Sequence, residues 1–388
     1  MRRMPLRAAL AAAVTAMLAL PMTGAAQATP TPPGTPVTVM TRNLYLGADI
    51  NRPVEAALDA EEAGGTPQQV VAALAVATHV SRTIVDQTDF PTRSRLLAAE
   101  IARTKPDLVG LQEVALWRSG PLELDKVGVP NATVVDYDFL EILLDDLAEA
   151  GTPYEAVVVG QRADVESPSF SPTMANPRDV RLTMRDVILR RAGGSVKVSD
   201  HDDEIFTNNL PVVIAGVQLN FSRGYQWADV RVGATSFRFV NTHLEAFSSD
   251  LALAQAVQMV NEATASDRTT ILVCDCNSDP LLDEIKPIDT VPHKAPYEFL
   301  RAAGYQDLWL HWAPAHEGWT SGLSELVNDP TPAGFDHRID MVFAHTVDGH
   351  RVTVDRGEVT GDELTDRDPA TGLWPSDHAG VVLRLRHI

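Results

Sequence analysis

Short alternating runs and longer amphipathic runs take turns along this chain, and the two periods predict different elements. Residues 37–40 alternate with threonine and run into Arg42-Asn43, a strand with a polar end. Alanine-rich residues 51–78 predict a helix broken at Gly64-Gly65. "TDFPTRSRLLAAEIARTKPD" predicts a second helix: Asp89 or Thr92 caps it, Pro91 sits in its first turn, and Pro106 ends it. "DLVGLQEV" follows as a strand, 137–150 as a leucine-faced helix, and 154–159 as a strand. Residues 162–178 show no period and predict a long loop over the site. "VRLTMRDVILRR", "LPVVIAGVQLNF" and "TSFRFVNTHLEA" predict three successive strands. After them come a helix over 248–266, a strand over 269–274, a short helix over 296–303, and strands over 339–343 and 381–385. Helices interleaved with strands around a strand-rich middle predict two packed sheets covered by helices.

The start of the chain stands apart from this pattern. Arg2, Arg3 and Arg7 precede an apolar run from Ala8 to Pro21, with small residues following at Ala26 and Ala28. That arrangement reads as a signal peptide over 1–28, which predicts export, with an extended proline-rich linker over 29–36. Residues 37–388 then form one domain, and no other stretch is apolar for long enough to span a bilayer. The formal net charge of −20 argues against nonspecific nucleic-acid binding through a basic surface. A local cation-filled cleft remains compatible with it. The two cysteines, Cys274 and Cys276, fall two apart in a strand, where parallel side chains disfavour a disulfide. They are expected to be free, buried and small.

Several polar residues end or interrupt the apolar strands: Asn43, Glu113, Asn241, His243, Asp275, Asn277, Asp340, Asp377 and His378. Each alone is an ordinary loop or core residue. Together they are costly to bury unless they pair or hold an ion. Phosphoester hydrolysis suits such a set, because a divalent cation on carboxylates cancels the charge that repels the attacking water. Glu113 and Asp377 fit the one or two carboxylates that Mg²⁺ prefers, and Mn²⁺ or Ca²⁺ are the alternatives. Asp275 is the candidate base, with Asn277 two residues along to orient water or phosphate. His243 and His378 are candidate donors to developing charge, with Asp340 orienting one imidazole.

The ordered segments "TRNLYL", "LVGLQEV", "VNTHLEA", "LVCDCNSDP", "GFDHRIDMVF" and "PSDHAGVV" resemble the endonuclease/exonuclease/phosphatase superfamily, over residues 37–388. "GWTSG", 318–322, matches the aromatic-threonine stretch of that family, whereas Cys-Asp-Cys-Asn replaces its usual Gly-Asp-Phe-Asn. The resemblance implies a four-layer α/β/β/α sandwich, an α/β (α+β) fold of two mixed sheets flanked by helices, with its site at the sheet edges. It implies Asn43 near the metal, Glu113 as ligand and Asp377 near the metal. It places His243 and His378 at the phosphate, Asp340 behind His378, and Asp275 and Asn277 around the nucleophile. The expected protein is a secreted, monomeric, divalent-metal-dependent phosphoesterase. Its substrate would be a nucleic acid, a phospholipid headgroup or a small phosphodiester. A sphingomyelinase-like phospholipase C is the alternative, and a catalytically silent binding module the remote one.

Overall fold

The computed structural model describes residues 35–388, except Ala215 and the side chains of Val217, Leu219 and Asn220. The leader over 1–28 and most of the linker over 29–36 lie outside the described residues. In chain order the elements are β1 (Val37–Asn43), α1 (Asn51–Glu62), α2 (Pro67–Gln87), α3 (Phe90–Thr104), β2 (Leu108–Gln112), β3 (Leu116–Pro121) and β4 (Val134–Asp138). Then come α4 (Phe139–Glu149), β5 (Tyr154–Ser169), β6 (Arg178–Arg191), β7 (Val196–Ile205), β8 (Leu210–Ile214), β9 (Val217–Phe221), β10 (Gly224–Val232) and β11 (Thr235–His243). The chain ends with α5 (Ser249–Ala263), β12 (Thr269–Asp275), α6 (Ala295–Ala302), β13 (Gln306–Asp307), α7 (Trp309–Trp312), β14 (Asp340–His345), β15 (Thr353–Thr360) and β16 (Gly380–Arg386).

Two mixed sheets result. The first runs β15-β16-β1-β2-β6-β3-β4, with β5 also paired to β6; the second runs β13-β14-β12-β11-β10-β7. Only β1/β2 and β11/β12 pair in parallel, and the carboxyl ends of both parallel pairs carry the polar residues singled out above. Strand alternation sorts the core into layers. Val37 and Val39 of β1, Phe237 and Phe239 of β11, and Ile271 and Val273 of β12 meet between the sheets. Val109 and Leu111 face out against Leu97 and Ile101 of α3 and Leu143 and Leu147 of α4. Leu272 and Phe343 face out against Ala252, Ala256 and Met259 of α5 and Leu300 of α6. This is the expected four-layer sandwich. At Gly110 the sheets approach in a way only glycine allows: a Cβ there would lie 2.3 Å from Val273 Cγ2 and 2.5 Å from Asn241 Oδ1. Asn241 itself bridges the sheets, accepting from Gln112 Nε2 at 2.7 Å and donating to Gln226 Oε1 at 3.1 Å.

Four expectations need correction. The helix breaks at the glycines as expected and restarts at a capping box formed by Thr66 and Gln69, but α2 runs beyond Thr78 to Gln87. The first half of the expected 162–178 loop is instead β5, which runs to Ser169 along β6. Two register shifts in that pairing scramble its alternation, and only residues 170–177 are loop. There Phe170 N–H donates to Ala75 O of α2, 3.3 Å away. "LPVVIAGVQLNF" is a two-stranded hairpin, β8–β9, rather than one strand.

The cysteines are joined: Cys274 and Cys276 form a disulfide with Cα atoms 5.1 Å apart. The expectation of free thiols assumed a fully extended chain through both. In fact β12 stops at Asp275, Cys276 N–H turns to Ile339 O at 2.8 Å, and Asn277 has φ 42°. The contracted backbone brings the sulfurs within bonding reach, on the face that packs against α5 and α6.

Candidate active site at the rim of the two sheets

Strand register assembles the site. On β12, Asp275 continues the inward face of Ile271 and Val273, so its carboxylate emerges between the sheets at their rim. His243 of β11 pairs directly with Asp275, and Asp275 with Asp340 of β14. From the first sheet, Asn43 ends β1 beside Gln112, and Glu113 follows β2 in a left-handed turn at φ 55°. Asp377 and His378 directly precede β16. A cavity of about 280 Å³ opens here, lined by Glu113, His243, Asp275, Asn277, Asp377 and His378. Asp340 stands behind it and Asn43 beside it.

The contacts are specific. Asn43 Nδ2 donates to Asp275 Oδ2 at 2.9 Å, while Asn43 Oδ1 accepts from Tyr45 N–H at 2.8 Å. Asn277 N–H lies 3.2 Å from Asp275 Oδ1, and its side-chain amide donates to Leu244 O at 3.0 Å. Leu46 N–H donates to Glu113 Oε2 at 2.8 Å. Asp340 Oδ2 accepts from His378 Nδ1 at 2.8 Å, as the orienting role requires. The backbone N–H of Asp340 donates to Thr320 Oγ1, 3.1 Å away, and Ser321 bridges to both His337 and His378. The "GWTSG" stretch thus holds the Asp340–His378 pair in place.

Charge is concentrated and mostly uncompensated. Burial pushes Asp275 up to about 7, with Asp340 and Glu113 adding to the effect while His378 and Asn43 oppose it. Burial and the Asp377 carboxylate raise Glu113 above the usual carboxylate range. Burial raises Asp377 too, although His378 and Arg93 oppose it. Burial disfavours a charged His378, yet Asp340, Asp377 and Asp275 outweigh it and hold the imidazolium well above its ordinary range. His243 moves the other way: burial, then Arg223 and His378, keep it neutral.

Two residues matter that sequence reasoning missed. Arg223, in the turn before β10, places Nη1 2.9 Å from His243 Nδ1. The same Nη1 lies 3.1 Å from His243 Nε2, which is itself 3.3 Å from Asp275 Oδ2. The pairing of Gly224 with His243 across β10/β11 is the signal that would have found it. Arg93 of α3 is fully buried and donates to Leu44 O at 2.7 Å, Tyr45 O at 3.0 Å and Pro375 O at 3.0 Å. It ties the loop after β1 to the segment bearing Asp377. Arg181 and Arg185, by contrast, pair with Asp164 and Asp138 and are not among the cavity's lining residues.

The donor set fits a hard divalent cation. Burial and the Asp377 carboxylate raise Glu113, and burial raises Asp377, a cost that an ion would relieve. Asp275, Asp340 and His378 also offer ligand atoms within 4.8 Å of one another. However, a His378 held as imidazolium by Asp340 is a donor rather than a ligand, so Glu113 and Asp377 are the better pair.

No family model matches the sequence, and no curated protein matches it. Solved structures do. An endonuclease/exonuclease/phosphatase family protein from Bacteroides thetaiotaomicron superposes with a TM-score of 0.52 at 16% identity, over 92% of this chain and 99% of that one. One from Beutenbergia cavernae gives 0.51 at 18%, over 90% and 71%. A humanized D. rerio TDP2 gives 0.50 at 15%, over 90% and 98%. The chain therefore has the fold of the endonuclease/exonuclease/phosphatase proteins, as its ordered motifs implied.

Proposed function

We propose that this chain is a divalent-cation-dependent phosphoesterase that hydrolyses phosphodiesters by direct attack of water. The observation that carries it is the Asp275 carboxylate, held near neutrality by burial and contacted by Asn43, His243 and the Asp340-bound His378. A base titrating near 7 is matched to taking a proton from water at neutral pH. His378, protonated, donates to the phosphoryl oxygens, and Asp340 fixes the orientation of its ring. His243, neutral, places Nε2 beside Asp275, while Arg223 adds fixed positive charge at the ring. Asn277 and Asn43 hold the two oxygens of Asp275 in place. Glu113 and Asp377 would hold the cation, Mg²⁺ by preference, which when bound offsets the charge of phosphate and carboxylates. Export of the protein is part of the proposal and rests on the sequence of residues 1–28.

The test is hydrolysis of bis-p-nitrophenyl phosphate with Mg²⁺, Mn²⁺, Ca²⁺ or EDTA. Turnover should require the cation, and Asp275→Asn should reduce kcat by about 10²–10⁴-fold. A panel of plasmid DNA, sphingomyelin liposomes and inositol phosphates sorts the nuclease, phospholipase C and phosphatase readings. Inertness toward every member, with the protein folded, would leave a binding module instead.

A further inference from the structure

A second cavity, of about 350 Å³, adjoins the site. Its walls come from α1 and α2, the β8–β9 hairpin, the 122–128 segment and, in the first sheet, Trp117 of β3, the 165–167 stretch of β5 and the start of β6. Val54, Leu74, Val212 and Ile214 form a small apolar cluster of their own there. The lining is chiefly aliphatic, and the volume is that of a ligand site rather than a packing defect.

This cavity neighbours the catalytic one. Ile50 lines both. Val180, Leu182 and Met184 alternate along one face of β6: Met184 lines the catalytic cavity, whereas Leu182 and Val180 line the apolar one. Successive residues on one strand face are about 7 Å apart, so the apolar track starts within a few bonds' reach of the reacting phosphate. Most polar groups along it are already paired. Thr78 bonds Ser167 at 2.9 Å, Ser81 donates to Asp49 O at 3.1 Å, and Trp117 Nε1–H donates to Leu46 O at 2.9 Å. Arg82 is engaged by Asp86 and Asp136. Little is left to read the edge of a nucleobase, and a hydrocarbon chain needs no such reading.

We infer that the apolar cavity receives the hydrocarbon tail of the substrate, so that the preferred phosphoesters are lipid-type esters of a long-chain alcohol. This rests on the phosphoesterase reading for the polar end alone. Titration of the full chain in Mg²⁺ with ethyl phosphate, octyl phosphate and thymidine 5′-phosphate tests it without needing turnover. Each methylene moved out of water strengthens binding by about fourfold at most, so octyl phosphate should bind at least about tenfold tighter than ethyl phosphate. Val71→Trp, at the half-buried wall of the cavity, and Leu124→Asp, at its exposed mouth, should each bring octyl phosphate down to the affinity of ethyl phosphate and leave ethyl phosphate unchanged. Leu124 is 55% exposed, so that variant carries little folding risk. Equal affinity for the two alkyl phosphates in the parent chain would overturn the inference. So would tighter binding of thymidine 5′-phosphate, or an octyl preference that survives both variants. Failed hydrolysis of the substrate panel would count against the catalytic reading, whereas the octyl preference is a matter of binding and would stand or fall separately.

Discussion

The charge of His378 depends on Asp340. The imidazole is buried, which by itself favours the neutral ring, and three carboxylates reverse that preference. Asp340→Asn removes one of them while keeping the backbone bond to Thr320. Losing a close negative neighbour lowers an imidazole pKa by about one unit or more. The basic limb of the kcat/KM profile against pH should therefore move to lower pH by about that amount, and the acidic limb should move the same way, because Asp340 also raises Asp275. The residues of this pair were legible in the sequence, because an Asp or His at the end of an apolar strand stands out against its neighbours. Arg223 was not: it precedes a strand in an unremarkable turn, and only the register of β10 against β11 brings it to His243. The disulfide was hidden for a related reason. Whether two cysteines two apart can join depends on where the strand stops, and apolar content alone does not mark that residue.

At the scale of elements, the site is held by a guanidinium that belongs to no strand. Arg93 binds the carbonyls of Thr88, Leu44, Tyr45 and Pro375 from inside α3. Arg93→Ala would strand those buried acceptors, each expensive to leave unmade, and should lower unfolding stability by about 3 kcal/mol in a denaturant titration. Arg93→Lys should recover less than half of the loss, because an ammonium cannot fork across several carbonyls. The strands that form the inner faces were readable from their apolar alternation, as with β1, β2, β11, β12 and β14. Strands without that signature were missed. β7 is an edge strand whose sequence, "VKVSDHDDEI", is acidic and mostly exposed, and β5 loses its period at two register shifts. The helix break at the glycines was visible, but not that the flanking helices would wall a cavity, since that depends on distant elements packing against them.

For the molecule as a whole, the crowded carboxylates set a pH dependence of stability. An acid whose folded pKa lies above its unfolded value binds more protons when folded, so stability falls as pH rises between the two. For Asp275 that window runs from 3.8 to about 7, and Glu113 and Asp377 shift in the same direction. The metal-free protein should therefore lose Tm between pH 5 and pH 7, as read by calorimetry. Added Mg²⁺ should raise Tm more at pH 7 than at pH 5, because binding stabilises only the folded state and competes with protons for the same oxygens. The close approach at Gly110 has a bearing on how variants of this protein would be interpreted. Glu113 rides on one sheet, Asp275 and Asp340 on the other, and the spacing between them is set where the backbone of β2 meets Val273 and Asn241. A single methyl group inserted at that point would wedge the halves apart and misalign the acids at the rim. A screen for inactive clones would then score as indispensable a residue with no functional group at all.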